Sequence, residues 1–311
     1  MADLKVLAEG LRFPEGPVAF GDGSIVLVEV AGGRITRVKP DGSTKVVAEP
    51  GGGPNGLAVG PDGKLYVCNN GGCFTWHEQD GLLFPGPHDT SVYTGGRIER
   101  VDVDTGSVEV LYTECQGHPL RAPNDIVFDS DGGFWFTDHG IVAERSKDRS
   151  GIYYAKVDGS AITEVIFALD SPNGIALSPD GTRLYTAETF TGRVWWWDVA
   201  APGEAVLVPG LLGNGGTLLR GIGGERTLNG LDSMAVDGEG WACVATLMGG
   251  GITAISPDGE QVEFHATGDV LTTNICFGGP NLATAFVTLS ASGRLASMPW
   301  PRPGLSMAFE R

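Results

Sequence analysis

The chain has 311 residues, with 49 glycines, 19 prolines, a hydrophobic fraction of 41% and a formal net charge of −17. That charge argues against nucleic acid, whose phosphates need lysine and arginine, and against an anionic membrane surface as partner. The apolar fraction can fill a large core, so the glycines and prolines read as regularly spaced turns within one β-rich domain covering 1–311.

The N-terminal segment MADLKVLAEGLRF has no signal-peptide h-region, and no stretch reaches the length of a membrane span. Five cysteines (Cys68, Cys73, Cys115, Cys243, Cys276) are odd in number and lack CxxC spacing. Several sit inside apolar strand-like runs, where a thiol behaves as a small hydrophobe. A reduced, cytoplasmic setting is expected.

A phrase then recurs six times: a polar residue, an apolar strand-like run, a turn and a second strand. Its polar openers are Glu15, Asn55, Asn124, Asn173, Asp232 and Asn274, spaced 40, 69, 49, 59 and 42 residues apart. A third strand follows in each unit (GGRITRVKPDG, GGRIERVDVDTG, SGIYYAKVDG, GRVWWWDV, GGITAISPDG, GRLASMPW), then a fourth (TKVVAE, VEVLYTE, EVIFAL, EAVLVPG, VEFHATG). Periods of this length with four strands each predict an all-β, six-bladed β-propeller. The last unit lacks a fourth strand, and the early run LKVLAEGL is expected to supply it, closing the ring and removing two open sheet edges. Asp-Gly dipeptides at 22–23, 41–42, 62–63, 131–132, 158–159, 180–181 and 258–259 are expected in tight hairpins with both central residues at positive φ. Trp195–Trp197 are expected to pack between blades. Two stretches break the period, 70–95 and 209–230, and should project as loops; Trp76, His77, Phe84 and His88 of the first are candidates to line or cap a pocket.

Innermost strands of a propeller run side by side around its axis, so the six openers should ring one mouth. Carboxylate and amide oxygens suit a hard cation such as Ca²⁺, and the absence of His and Cys at these places disfavours Zn²⁺ as a matched site. Asn and Asp before a strand are also ordinary turn formers. Glu15 is not, and with Asp232 it favours the metal reading.

FPEGPV, APNDIVFDSDGGFWFTD, SPNGIALSPDG and LDSMAVDGEG resemble the characteristic segments of the gluconolactonase/regucalcin (senescence marker protein) family of six-bladed propellers, over essentially the whole chain. The resemblance implies one axial divalent metal held by Glu15, Asn124, Asn173 and Asp232, most commonly Ca²⁺ with Mn²⁺, Fe²⁺ or Zn²⁺ as alternatives. It also implies lactone hydrolysis, with Asp232 as general base or nucleophile. Asn55 and Asn274 then become supporting or substrate contacts, alongside Asn124, Arg121, Trp76 and His139. Sugar-lactonase members place an arginine two residues before the metal-binding Asn; here Arg121 stands three before Asn124, so its grip on sugar hydroxyls is in question. His139 is a candidate proton shuttle or a loop-packing residue, and Asp125 and Asp138 are either cation contacts or turn residues. The expected partner is a small lactone. The alternatives are a phosphotriesterase-type hydrolase on the same metal site, and a non-catalytic calcium-binding or protein-interaction propeller. No GxSxG elbow, Cys–His pair or dinucleotide fingerprint stands in the sequence.

Overall fold

The computed structural model describes residues 4–210, 213–222 and 230–309. Six small antiparallel sheets are arranged as the blades of a β-propeller. Their innermost strands are Pro14–Ala19, Pro54–Val59, Pro123–Phe128, Pro172–Leu177, Gly230–Val236 and Thr272–Gly278, which number the blades 1 to 6. Each innermost strand touches the next, and that of blade 6 touches that of blade 1, so the ring closes. Lys5–Ala8 pairs with Arg294–Pro299 as the outer strand of blade 6, joining the two ends of the chain in one sheet as expected.

Blade 4 departs from the expected pattern. EAVLVPG contributes only the two-residue strand Glu204–Ala205, and the place beside Arg193–Trp196 is taken by Thr217–Gly221. Part of the 209–230 stretch (211–212 and 223–229) lies outside the described residues. The 70–95 stretch forms an extra hairpin, Phe74–Gln79 with Leu82–His88.

The seven Asp-Gly turns named above also differ from expectation: in each of them the glycine alone has positive φ. In the first, Gly23 N–H donates to Phe20 O (2.9 Å) and the Asp22 carboxylate accepts Ser24 N–H (3.0 Å). This is a three-residue loop with a left-handed glycine bulge, in which Asp acts through its side chain rather than through its φ.

The core lies between blades. Trp135 and Ile152 of blade 3 meet Leu184, Trp195 and Trp197 of blade 4 in one buried cluster, the packing role expected of the tryptophan run. At the end remote from the openers, Trp300–Phe309 crosses the axis. Buried Arg302 anchors it by ion pairs to Asp237 (2.5 Å) and Glu263 (2.9 Å), and Gly304 N–H donates to Leu282 O (2.8 Å). No helix among the described residues is long and apolar enough to cross a membrane.

Candidate active site

Each opener lies within the first three residues of its innermost strand, where pairing with the second strand slips. The slips fall between Glu15 and Val18, Pro54 and Leu57, Pro123 and Ile126, Pro172 and Ile175, Leu231 and Met234, and Thr272 and Asn274. A bulge inserts an unpaired residue and re-aims its side chain. Asn55, Asn124, Asn173 and Asp232 lie within the slips and leave the ladder, whereas Glu15, paired with Val28, and Asn274, paired with Thr288, border theirs.

Neighbouring strands crowd at these starts. A Cβ on Gly16 would stand 2.5 Å from Asn55 O, one on Gly56 2.5 Å from Asn124 O, and one on Gly174 2.7 Å from Asp232 O. The residue after the opener is therefore glycine in blades 1, 2 and 4. In blade 3 it is Asp125, whose carboxylate uses the space left by Gly56 (2.9 Å from a Cβ there) and accepts Ile126 N–H at 3.0 Å. Asp125 thus stands on the axis as a third carboxylate, beside Glu15 and Asp232. From sequence it was indistinguishable from a turn residue; the signal was an Asp where three other units carry Gly.

The hydrogen bonding of the openers is unequal. Glu15 Oε2 accepts Gly16 N–H (2.6 Å) and an Asn274 amide N–H (2.7 Å), while Oε1 is buried without a partner. Asn124 Oδ1 is likewise buried and unpartnered. Asn173 gives an N–H to Thr189 Oγ1 (3.1 Å), which fixes the amide, and Ser233 Oγ reaches its Oδ1 at 3.4 Å. Asp232 is partly exposed and accepts Ser233 N–H at 3.1 Å. Asn274 spends both ends, since its Oδ1 accepts Ile275 N–H at 2.7 Å. Asn55 is buried in the ring, and its side chain makes no hydrogen bond among the described residues.

Burial raises the carboxyl of Glu15 above its ordinary range, against the opposing pull of Asn274 and Gly16. Burial first, and the charge of Glu15 second, lift Asp125 to about 8 and Asp232 well above the usual value. Among the described residues, no lysine, arginine or histidine figures among the groups acting on these three acids. Among the described residues no three His, Cys, Asp or Glu side chains converge as a ligand set by themselves. A cation here would have to draw on the amide oxygens of Asn124 and Asn173 as well as Glu15 and Asp232.

A second family of buried acids behaves differently. Asp138 accepts Arg121 N–H (2.7 Å), Ala122 N–H (2.8 Å) and Gly140 N–H (2.9 Å); Glu29 accepts Arg12 N–H (2.7 Å) and pairs with Arg34. Each ends the second strand of its blade and ties down the linker into the innermost strand. Asp138 is thereby a turn-holding residue.

The remaining candidates surround the ring at the opener end. Arg121 directs its guanidinium to Asp148 (2.8 Å). His139 is buried beside His88 and Phe190, with ring centroids at 6.2 and 5.7 Å; burial, then His88, lowers its pKa to about 4, so it is neutral near pH 7. Trp76 packs on Phe13 (4.9 Å) from the extra hairpin. On the other side of the ring the axis holds a cavity of about 500 Å³, bounded by Asp125 and Asn274 at one end and by Leu305–Phe309 at the other.

The family model described as SMP-30/Gluconolactonase/LRE-like region matches residues 13–291. The chain is 27% identical to the gluconolactonase of Zymomonas mobilis, over 92% of this chain and 79% of that protein. It is 32% identical to lactonase drp35 of Staphylococcus haemolyticus, but over 61% of this chain and about half (52%) of the relative. Its fold is similar to that of a gluconolactonase from Xanthomonas campestris (TM-score 0.71, 23% identity, 96% and 90% of the two chains). It is similar also to that of a calcium-binding protein, regucalcin, from Agrobacterium tumefaciens (TM-score 0.75, 20% identity, 100% and 98%).

Proposed function

Because the chain belongs to the SMP-30/gluconolactonase/LRE-like family, we propose that it is a lactonase working at the axial ring, with a divalent cation held by Glu15, Asn124, Asn173 and Asp232. The names of the gluconolactonase and drp35 relatives support the reaction class. The observation that carries the site is the pairing of two buried unpartnered oxygens, Glu15 Oε1 and Asn124 Oδ1, with three axial acids that have no basic partner among the described residues. An unpartnered buried acceptor costs about 1–3 kcal/mol, and a divalent ion relieves both that and the charge repulsion. All the donors are oxygens, which favours Ca²⁺.

Such an ion, when bound, polarises a lactone carbonyl as a Lewis acid. The chain supplies the rest. Asp232, ionised opposite positive charge and open to solvent, takes a proton from the attacking water as general base. The water oxygen bonds to the carbonyl carbon, the ring C–O bond breaks, and the proton held by Asp232 passes to the leaving alkoxide, giving a hydroxy acid. Asn274 and Gly16 N–H keep Glu15 oriented. Asn55, Trp76 and His139 contact the substrate, whereas the Arg121–Asp148 ion pair leaves Arg121 little freedom to do so. A cytoplasmic setting suits the five unpaired cysteines.

The test is a lactone panel on purified protein, with metal content measured by elemental analysis. Hydrolysis should be lost on chelation and restored by a divalent cation. Single turnover in ¹⁸O-water should place the label in the product at once; label appearing only in a second turnover would identify Asp232 as nucleophile instead. Full activity in metal-free protein would sink the mechanism.

A further inference from the structure

Each innermost strand pairs near its start with one residue of its second strand: Glu29, Asn69, Asp138, Glu188, Thr246 or Leu289. Two positions further on, at the opener end, blades 1, 2, 3 and 6 carry Ala31, Gly71, Gly140 and Ala291, whereas blades 4 and 5 carry Phe190 and Met248. Phe190 is 61% exposed and Met248 57%. A single exposed apolar side chain is ordinary on a surface. Two at the same repeat position of adjacent blades, where the other four hold Ala or Gly, make one side of the mouth apolar.

Both loops flank the strand that delivers Asp232. Phe190 follows Thr189, whose carbonyl accepts Leu231 N–H (3.1 Å) and whose Oγ1 accepts the Asn173 amide N–H (3.1 Å). Met248 follows Leu247, which pairs with Gly230. A Cβ on Gly230 would lie 3.3 Å from Thr189 O and 3.3 Å from Leu247 Cδ1, so the two loops meet across a residue two before Asp232. Each is held in place. His139 meets the Phe190 ring edge-on (5.7 Å, 68°), and Lys147 Nζ lies 4.4 Å from its centroid. Met248 has a left-handed backbone (φ +63°), and its N–H donates to Val270 O at 2.6 Å. A side-chain-bearing residue keeps such a conformation only where its surroundings impose it. The extra hairpin is anchored elsewhere on the rim. Trp76 packs on Phe13 at blade 1 (4.9 Å), Leu83 N–H donates to Ala291 O of blade 6 (2.8 Å), and His88 Nδ1 accepts Val142 N–H beside blade 3 (2.9 Å).

We propose that Phe190 and Met248 are specificity-determining residues, an apolar lip beside Asp232 that holds an alkyl chain carried by the lactone ring. The proposal rests on the lactonase reading and names its substrate class: lactones with an unbranched apolar substituent. Covering water-facing apolar surface is favourable, and neither side chain offers a strong hydrogen-bond partner to a sugar hydroxyl.

γ-Nonalactone, a γ-butyrolactone ring with a pentyl chain, is the probe. Covering about two methylenes is worth roughly tenfold, so wild-type kcat/KM should favour it at least tenfold over γ-butyrolactone and place it above glucono-δ-lactone. Phe190→Ser and Met248→Gly, the latter suited to a left-handed backbone, should each lower the nonalactone-to-butyrolactone ratio about threefold, and together at least fivefold, mainly through KM. A general structural fault would slow both substrates alike and leave the ratio standing. An unchanged ratio in the variants, no wild-type preference for the chain, or a preference for the sugar lactone overturns the lip. A wild-type dimer that the double variant converts to monomer, with the ratio unchanged, would give this face to a second copy and also overturns it. If wild type opens no lactone, the lactonase reading fails, and calorimetry with 5-pentylpyrrolidin-2-one, the lactam of the same shape, decides the lip by itself. Binding weakened at least fivefold by the double variant supports it; no binding, or equal binding, overturns it.

Discussion

Asp232 differs from the other five ring residues in being partly open to solvent, which suits the chemical role proposed for it, while the other five are buried. Asp232→Asn retains an acceptor for Ser233 N–H, so the protein should stay folded while kcat falls by roughly 10²–10⁴, the usual worth of a positioned general base; circular dichroism and steady-state kinetics read the two halves. Asn274 is the opposite case. Both ends of its amide are spent within the protein, one of them on Glu15, so Asn274→Ala should weaken cation affinity about tenfold by calorimetry, with a smaller change in kcat at saturating metal. His139 gives a pH effect. Its folded pKa, about 4, lies below the unfolded value of about 6.5, so the unfolded chain binds the extra proton. Stability is therefore intact above pH 6.5 and falls as pH drops towards 4, by up to about 3 kcal/mol. Denaturant melts of His139→Asn should show a flatter acid limb. The carboxylate and amide openers were legible in the sequence because a repeat displays equivalent positions side by side. Asp125 was not, because its place on the axis depends on a backbone bulge and on the room Gly56 leaves in the neighbouring blade.

The element that makes the site is the bulged start of each innermost strand, and it needs glycine for close approach of two backbones. Gly174→Ala would put a Cβ 2.7 Å from Asp232 O and 2.7 Å from Met234 N. Neither atom can swing aside as a side-chain tip does, so the blade 5 strand must shift. The expected loss is about 1–3 kcal/mol by urea unfolding, together with a larger loss of activity, since Asp232 moves with its carbonyl. Gly63 sits in a hairpin at the opposite end with φ +70° and open space where its Cβ would point. Gly63→Ala should cost about 1 kcal/mol in backbone strain and leave turnover alone. Two glycines that look equally turn-like in sequence thus separate cleanly. The Asp-Gly turns teach the same point: the dipeptide announced a hairpin correctly, but the turn type was set by which residue carries positive φ, and Asp met its constraint with a side-chain hydrogen bond. The fourth strand of blade 4 was misplaced for a related reason. EAVLVPG has strand composition, yet the partner of Arg193–Trp196 is Thr217–Gly221, supplied from beyond a loop that no local preference specifies.

At the scale of the molecule, the ring is closed twice: covalently remote strands share blade 6, and the innermost strands, each with its opener at the start, contact one another around the axis. A cation gripped by Glu15, Asn124, Asn173 and Asp232 would tie four blades together from inside, and it would bind the folded ring while having little hold on the unfolded chain. At a hundred times its dissociation constant it should add about 2.7 kcal/mol, which for a chain of this size corresponds to roughly 5–10 °C in thermal midpoint. Calorimetric scans with Ca²⁺ and with chelator should differ by that amount, and Asp232→Asn should shrink the difference, because one of its two carboxylate ligands has gone. Weakening the outer closure instead, by Val6→Pro in the strand paired with Arg294–Pro299, should lower both midpoints alike and leave the cation-dependent gap standing. If the Val6 variant removed the gap, or if Asp232→Asn kept it whole, the ion would be acting somewhere other than the axis.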